Sequence, residues 1–124
     1  MSLSREKIVE ELVKICGEEA VVTDIEVLQE SSYDRFRKYE GYNKVFTNPL
    51  PAAVVFVKDK YQVSEVLRFA NAYGINVVPR TGHSATEGGL ETIVENSIVL
   101  DGSQMKKIIN VDTYNMQDTC ECGV

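Results

Sequence analysis

The chain has 124 residues, 44% of them hydrophobic and 26% charged, the make-up of one ordinary soluble globular domain. A formal net charge of -6, with lysines gathered only into pairs such as Lys58 and Lys60 or Lys106 and Lys107, argues against a nucleic-acid or anionic-membrane partner. No apolar run approaches the roughly 20 residues that span a bilayer, and the opening "MSLSREKIVEE" lacks the basic-then-apolar pattern of an export signal, so a cytoplasmic location is the expectation.

From Ser4, the apolar residues Ile8, Val9, Leu12, Val13, Ile15 and Cys16 recur at helical spacing and stop at Gly17, which predicts one amphipathic helix with a glycine cap. In "VVTDIEVL", Thr23 and Glu26 stand in capping-box order and place the start of a second, shorter helix at Asp24. The segment "QESSYDRFRKYEGYNKVFTNPLP" has no clear period and closes on two prolines. It reads as a long connection, which in a compact domain is either functional or held by something outside the chain. Residues 1–50 are thus a helical lead-in and connection.

Regular structure is expected from residue 51 onward. "AAVVFV" is a short apolar run suited to a strand covered on both faces. Asp59 can cap the helix that follows, with Gln62 three residues on, and Val63, Val66, Leu67, Ala70 and Tyr73 form its apolar stripe up to Gly74. "INVVP" is then a second strand. Strand, helix and strand in this span predict a right-handed βαβ crossover with parallel strands. "SIVLD" and "IINVD" read as further strands, "TYN" as a tight turn, and "MQDTCECGV" as a last strand running to the end of the chain. The expected fold class is α/β: a small parallel sheet with helices on its faces, passing into the first strands of an antiparallel sheet. A bare final strand is an association hazard. It suggests the front part of something longer, or a homo-oligomer joined through that strand.

The three cysteines, Cys16, Cys120 and Cys122, are an odd count without an export signal, and we read them as reduced thiols. Cys120 and Cys122 would share a face of a strand, but a structural zinc site wants four ligands and the only histidine is distant, so no metal is expected.

The most informative stretch is "VVPRTGHSATEGGL", which follows the second parallel strand. Loops at the carboxyl ends of parallel strands are where α/β proteins bind ligands. Gly82, Gly88 and Gly89 free the backbone to bring main-chain N–H groups up to an anion, phosphate above all. Thr81, Ser84 and Thr86 add hydroxyl donors, and Arg80 is placed to pair with a phosphate oxygen at the loop's rim. Two other phosphate loops fail on their parts: there is no Gly-Lys-Ser/Thr of a P-loop, and no G-x-G-x-x-G opening a helix.

The order "AAVVFVKDKYQVSEVLRFANAYGINVVPRTGHSATEGGL", "SIVLDGSQMKKIINVD" and "CECGV" resembles the FAD-binding domain of the vanillyl-alcohol-oxidase (PCMH) type. Within it, the likeness is to the branch of the glycolate oxidase flavin subunit and the D-lactate dehydrogenases. Asp101, Ser103, Met105 and Ile108 match that branch's "D-x-S-x-M-x-x-I" element, and "TDIEVL" with Asp34 looks like its lead-in. The resemblance implies that Pro79, Arg80, Thr81, Gly82, His83, Ser84, Ala85, Gly88 and Gly89 contact the FAD diphosphate and adjacent ribityl chain. It further implies that residues 51–124 are the amino-terminal portion of the flavin domain, with the rest of that domain and a substrate domain missing.

His83 departs from the branch's usual glycine, and "TGHS" is similar to the aldonolactone-oxidase version in which histidine bonds covalently to flavin. A covalent flavin link, a non-covalent contact with the diphosphate or ribityl group, and a histidine with no ligand role all stay open. Glu87 also departs from the family's serine or threonine; a carboxylate beside a diphosphate should face outward or pair with Arg80. The expected function is FAD binding, as the amino-terminal fragment of a flavin-dependent oxidoreductase that oxidises a small 2-hydroxy acid or alcohol by hydride transfer. No catalytic residue is expected in this span. The alternatives are a non-catalytic fragment that holds no flavin, or a binding module for another nucleotide.

Overall fold

A computed structural model describes residues 2–37, 39–40, 43–44 and 47–124. Helix α1 (Arg5–Cys16) starts where the Ser4 hydroxyl accepts from the Lys7 amide and ends where the Gly17 amide donates to the Val13 carbonyl. A 3-10 turn, Glu18–Ala20, leads into a two-residue strand β1 (Val21–Val22). Helix α2 (Ile25–Glu30) is capped by Asp24, whose side chain accepts from the Glu26 amide. The aspartate therefore does the capping that the Thr23 and Glu26 spacing suggested.

Strand β2 (Ala53–Phe56) is followed by helix α3 (Lys60–Tyr73). Asp59 accepts from the amides of Tyr61 and Gln62, which the helix leaves unpaired, and the Gln62 side chain reaches back to accept from the Lys58 amide before the cap. The helix closes at Gly74, whose amide donates to the carbonyls of Ala70 and Asn71. Strands β3 (Val77–Arg80) and β4 (Ile98–Asp101) complete the main sheet.

The sheet order is β1-β2-β4-β3, with β2, β4 and β3 parallel and β1 antiparallel at one edge. The crossover from β2 through α3 thus skips a place, and β4 inserts between the two strands that it connects. The burial explains this. All four residues of β4 are buried, as a central strand requires, whereas β3 carries the exposed Pro79, and a proline is tolerated only at an edge. The register pairs Pro79 with Leu100 and Arg80 with Asp101.

Both faces of the sheet are covered. On one, Ile8 and Leu12 of α1 and Val66 and Ala70 of α3 pack with Ala53, Val55, Ile98 and Leu100. On the other, Leu28 of α2 packs against Val54 and Val99. Alternate residues of β2 and β4 therefore serve different helices, which is why both strands read as continuous apolar runs. β1 was not legible in the sequence, since two residues are too short to show a period.

Strands β5 (Ile108–Asp112) and β6 (Gln117–Cys120) form a separate antiparallel hairpin, closed by Asp112 Oδ1 accepting from the amides of Tyr114 and Asn115. The last strand does not run to the end of the chain as expected. It stops at Cys120, and the Gly123 amide turns back to donate to the Met105 carbonyl at 2.8 Å. The cause is steric: a Cβ on Gly123 would lie 2.5 Å from the Gly102 carbonyl oxygen and 2.7 Å from those of Ser103 and Met105, so only glycine can seat there. Cys120 and Cys122 are exposed free thiols, and the Cys122 Sγ faces the Gly102 carbonyl at 3.7 Å.

The connection over residues 29–51 includes Lys38, Gly41, Tyr42, Val45 and Phe46, which lie outside the described residues. Its described part carries buried polar groups: Ser31, Ser32 and Asp34 are all buried. The Thr92 amide donates to the Ser32 carbonyl at 3.0 Å and the Asn48 side chain donates to the same carbonyl at 2.6 Å.

Candidate functional site

The parallel strands β2, β3 and β4 end at one edge of the sheet, and the glycine loop leaves β3 at that edge. Two charged residues stand where β3 and β4 terminate. Arg80 Nε donates to Asp101 Oδ2 at 2.7 Å, and its Nη1 donates to the Ser31 hydroxyl at 2.7 Å. The His83 imidazole Nε2 lies 3.3 Å from the same Asp101 oxygen, and the Ser103 amide donates to Asp101 Oδ1 at 2.8 Å. Asp101 is fully buried and the Arg80 side chain is 8% exposed, whereas half of the His83 side chain faces solvent.

Burial pushes the Asp101 carboxyl up, but the hydrogen bonds from Ser103, Arg80 and His83 together outweigh it and hold the group below the usual aspartate range. Asp101 is therefore an anion at neutral pH. Facing this anion, Nε2 of His83 is the donor in the contact.

Arg80 sits deeper than the rim position expected of it. Its nearest anion is Asp101, and Glu87 is exposed with no ion pair to Arg80 among the described residues. The burial of the register pair explains the inward turn: Arg80 and Asp101 lie side by side on adjacent strands, and each neutralises the other's desolvated charge.

The loop between these anchors is open. Among the described residues, the main-chain amides of Gly82 through Glu87 have no protein acceptor, and Thr81, Gly82, His83 and Ser84 are exposed. A Cβ on Gly82 would meet only the Ser84 hydroxyl at 3.8 Å, and one on Gly89 only the Ala85 methyl at 3.7 Å. Among the described residues, nothing demands glycine at either place. Their missing side chains leave room on the outside of the loop, as the approach of a ligand to main-chain donors requires. His83 has φ of 52°, in the left-handed region where glycine is at ease, so this non-glycine residue occupies a backbone position suited to glycine.

Gly88 has φ of 87° and its amide is taken: it donates to Asp34 Oδ2 at 2.7 Å. Asp34 Oδ1 accepts from the Arg35 amide, also at 2.7 Å. A cavity of about 470 Å³ opens between α2, the segment after it and the loop, lined among others by Ser31, Tyr33, Asp34, Arg80, Gly82 and His83. That volume suits a small-molecule site. Of the residues singled out in the sequence, Arg80, Gly82 and His83 border this cavity; Thr81, Ser84 and Gly89 lie on the exposed loop, and Pro79 lies on the outer edge of β3.

Sequence reasoning did not give roles to Ser31, Asp34 or Asp101. Asp101 had a signal, a lone acid closing an otherwise apolar strand. Asp34 was marked only by the resemblance of the lead-in, without a contact to go with it, and Ser31 not at all, because they act across 49 and 54 residues of chain.

A family model described as an FAD binding domain matches residues 51–124. The chain belongs to the FAD binding domain family. It is 59% identical over its whole length to the FAD-linked oxidoreductase YgcU of Escherichia coli K12, of which it covers 26%. It is 31% identical over 89% of its length to the mitochondrial D-2-hydroxyglutarate dehydrogenase of Arabidopsis thaliana, covering 18% of that protein. The chain thus spans about a quarter of the length of YgcU or less of such relatives. Among solved structures, an alkyldihydroxyacetonephosphate synthase superposes on 99% of the chain with a TM-score of 0.83 at 18% identity, covering 25% of that protein. A 4-ethylphenol oxidase from Gulosibacter chungangensis superposes on 96% with a TM-score of 0.78 at 21% identity, covering 22% of the oxidase. These two likenesses show the PCMH-type FAD-binding domain fold in this family member.

Proposed function

We propose that the chain binds FAD through the glycine loop and is the amino-terminal part of a flavin-dependent oxidoreductase acting on a small 2-hydroxy acid or alcohol. The observation that carries the reading is the open run of amides from Gly82 to Glu87 at the carboxyl edge of the parallel sheet. Main-chain donors arranged without protein acceptors are the chemistry that a diphosphate needs, and they serve it in an acidic protein because distant net charge is screened within about 10 Å.

Thr81, Gly82, His83, Ser84, Ala85 and Gly89 would hold the diphosphate and ribityl group from the loop. Pro79 would shape its start, while Arg80, fixed by Asp101, would present its positive charge from beneath. Gly88 would act through the turn that it makes, since its amide belongs to Asp34. The 2-hydroxy-acid reading is supported by the relatives named for D-2-hydroxyglutarate. The flavin, when bound, supplies hydride acceptance from the substrate carbon. This chain's residues grip and orient it; the groups that face substrate belong to the parts of the longer relatives that the chain does not span. The exposed apolar side chains of the hairpin, Ile108, Ile109, Val111 and Met116 among them, suit a division in which residues 51–124 begin a flavin domain that continues over that hairpin.

The test is direct. Purified chain incubated with FAD is expected to retain flavin absorbance through gel filtration, and ADP is expected to compete. Protein that stays colourless at saturating FAD sinks the reading and favours a fragment without flavin. Acid precipitation of the coloured protein reads the linkage: colour in the pellet that disappears in His83→Ala assigns a covalent bond to His83, and colour in the supernatant assigns a non-covalent contact.

A further inference from the structure

The family match begins at residue 51, yet the glycine loop is held by residues that precede it. Ser31 accepts from Arg80 at one end of the loop, and Asp34, three residues on, accepts from Gly88 at the other. Just beyond, the Arg37 guanidinium pairs with Glu91 at 2.8 Å and the Ser32 carbonyl takes the Thr92 amide. The segment 31–37 thus follows the loop from its first residue to just past its last.

Asp34 is the unusual member. It is fully buried, and its two oxygens accept main-chain amides at 2.7 Å, from Arg35 and Gly88. Burying a carboxylate is costly, and packing alone is served better by an apolar side chain. What a carboxylate adds is direction. A charge-assisted hydrogen bond is roughly twice as strong as a neutral one and fixes its donor, here the amide of a residue at φ of 87°. The Gly88 amide is thereby held inward, toward Asp34, while the amides of Gly82 through Glu87 are left without acceptors among the described residues.

From this we infer that Asp34 is a positioning residue for the dinucleotide site: an internal anion that fixes the second arm of the glycine loop, so that the first arm meets a diphosphate already ordered. This rests on the flavin reading above. Ordering a loop before binding removes a cost otherwise met on association. Loss of Asp34 should therefore weaken binding of the diphosphate more than it weakens the fold.

The experiment compares the full chain with Asp34→Asn and with Val66→Ala, a core truncation in α3 away from the loop. FAD affinity is read by quenching of flavin fluorescence and stability by thermal unfolding. Asp34→Asn is expected to weaken FAD binding about tenfold or more, the scale of one lost hydrogen bond to a charged group. Val66→Ala is expected to lower the unfolding midpoint while leaving affinity within about threefold. Equal loss of affinity in the two variants at matched midpoints overturns the proposal, because Asp34 is then structural only. The ligand-free protein gives a second readout, independent of flavin. The Gly88 amide proton is expected far downfield and slow to exchange in the native chain, and to lose both properties in Asp34→Asn. An ordinary, fast-exchanging Gly88 amide in the native chain overturns the proposal even if Asp34→Asn does not fold. A chain that binds no FAD but shows the anchored Gly88 amide fails the flavin reading and keeps the clamp.

Discussion

Arg80 and Asp101 are register partners on adjacent parallel strands, and their side chains meet at 2.7 Å at the point where both strands end. Asp101 is fully buried and the Arg80 side chain nearly so. Removing one partner of a buried pair strands the other, so Asp101→Leu is expected to destabilise the chain by about 3–5 kcal/mol, and Arg80→Met combined with Asp101→Leu to recover much of the loss. Urea unfolding of the two single variants and the double variant measures it. A single variant as stable as the native chain would refute the account.

The sign of the acid dependence follows from the same aspartate. Its carboxyl is held below the usual range by hydrogen bonds that outweigh burial. The unfolded group titrates near pH ~4, so its contribution is fully present above that pH and is lost as pH falls through the lower folded value. Unfolding free energy should drop on acidification below about pH 4, and Asp101→Asn should lack that part of the slope. A variant with an unchanged slope would remove Asp101 from the explanation.

His83 at φ of 52° predicts an ordering of two variants that both lack the imidazole. His83→Gly should be more stable than His83→Ala by about 1 kcal/mol, because glycine adopts a left-handed backbone without a Cβ clash. Equal midpoints in thermal unfolding would show that the loop relaxes at this residue.

Two glycines should separate stability from binding. Gly123→Ala drives a methyl against three carbonyl oxygens, and overpacking of this kind costs about 1–3 kcal/mol, with the β5–β6 hairpin amides expected to exchange faster. Gly89→Ala meets only the Ala85 methyl at ordinary distance. It should change stability by less than about 0.5 kcal/mol while weakening FAD retention. A reversed order would mean that the loop, not the turn at Gly123, is the closely packed element.

The thiols should react in a fixed order. Burial, with Asp59 as a lesser contributor, pushes the Cys16 thiol up and leaves less thiolate at neutral pH. Cys120 and Cys122 are exposed. Timed alkylation followed by peptide mass analysis is expected to label those two before Cys16; early labelling of Cys16 would place it nearer solvent than described.

Much of this was legible in the residues. The caps at Gly17, Asp59 and Gly74 and the period-3.6 stripes of α1 and α3 are local signals, set by donors and apolar faces within a few positions of one another. The glycine loop was legible because Gly82, Gly88 and Gly89 cluster after a β-branched run. The central place of β4 was written only in its lack of any exposed residue, and was not read as such. What stayed hidden was non-local. Ser31 and Asp34 sit in a stretch without period, and their meaning appears only when chain 49 and 54 residues away is folded beside them. The inward turn of Arg80 was hidden for a related reason: its partner is chosen by strand register, and register is not visible in a single strand.

The insertion of β4 between β2 and β3 has a consequence for synthesis. A ribosome delivers β2, then β3 and the loop, and only afterwards the strand that separates and joins them. Until residues 98–101 emerge, the loop has neither Asp101 beneath it nor a finished edge to project from. The nascent chain therefore carries its glycine loop unformed through an interval in which β2 has only the two-residue β1 beside it and β3 has no strand neighbour. A flavin would find its seat only after the fourth strand has slotted home.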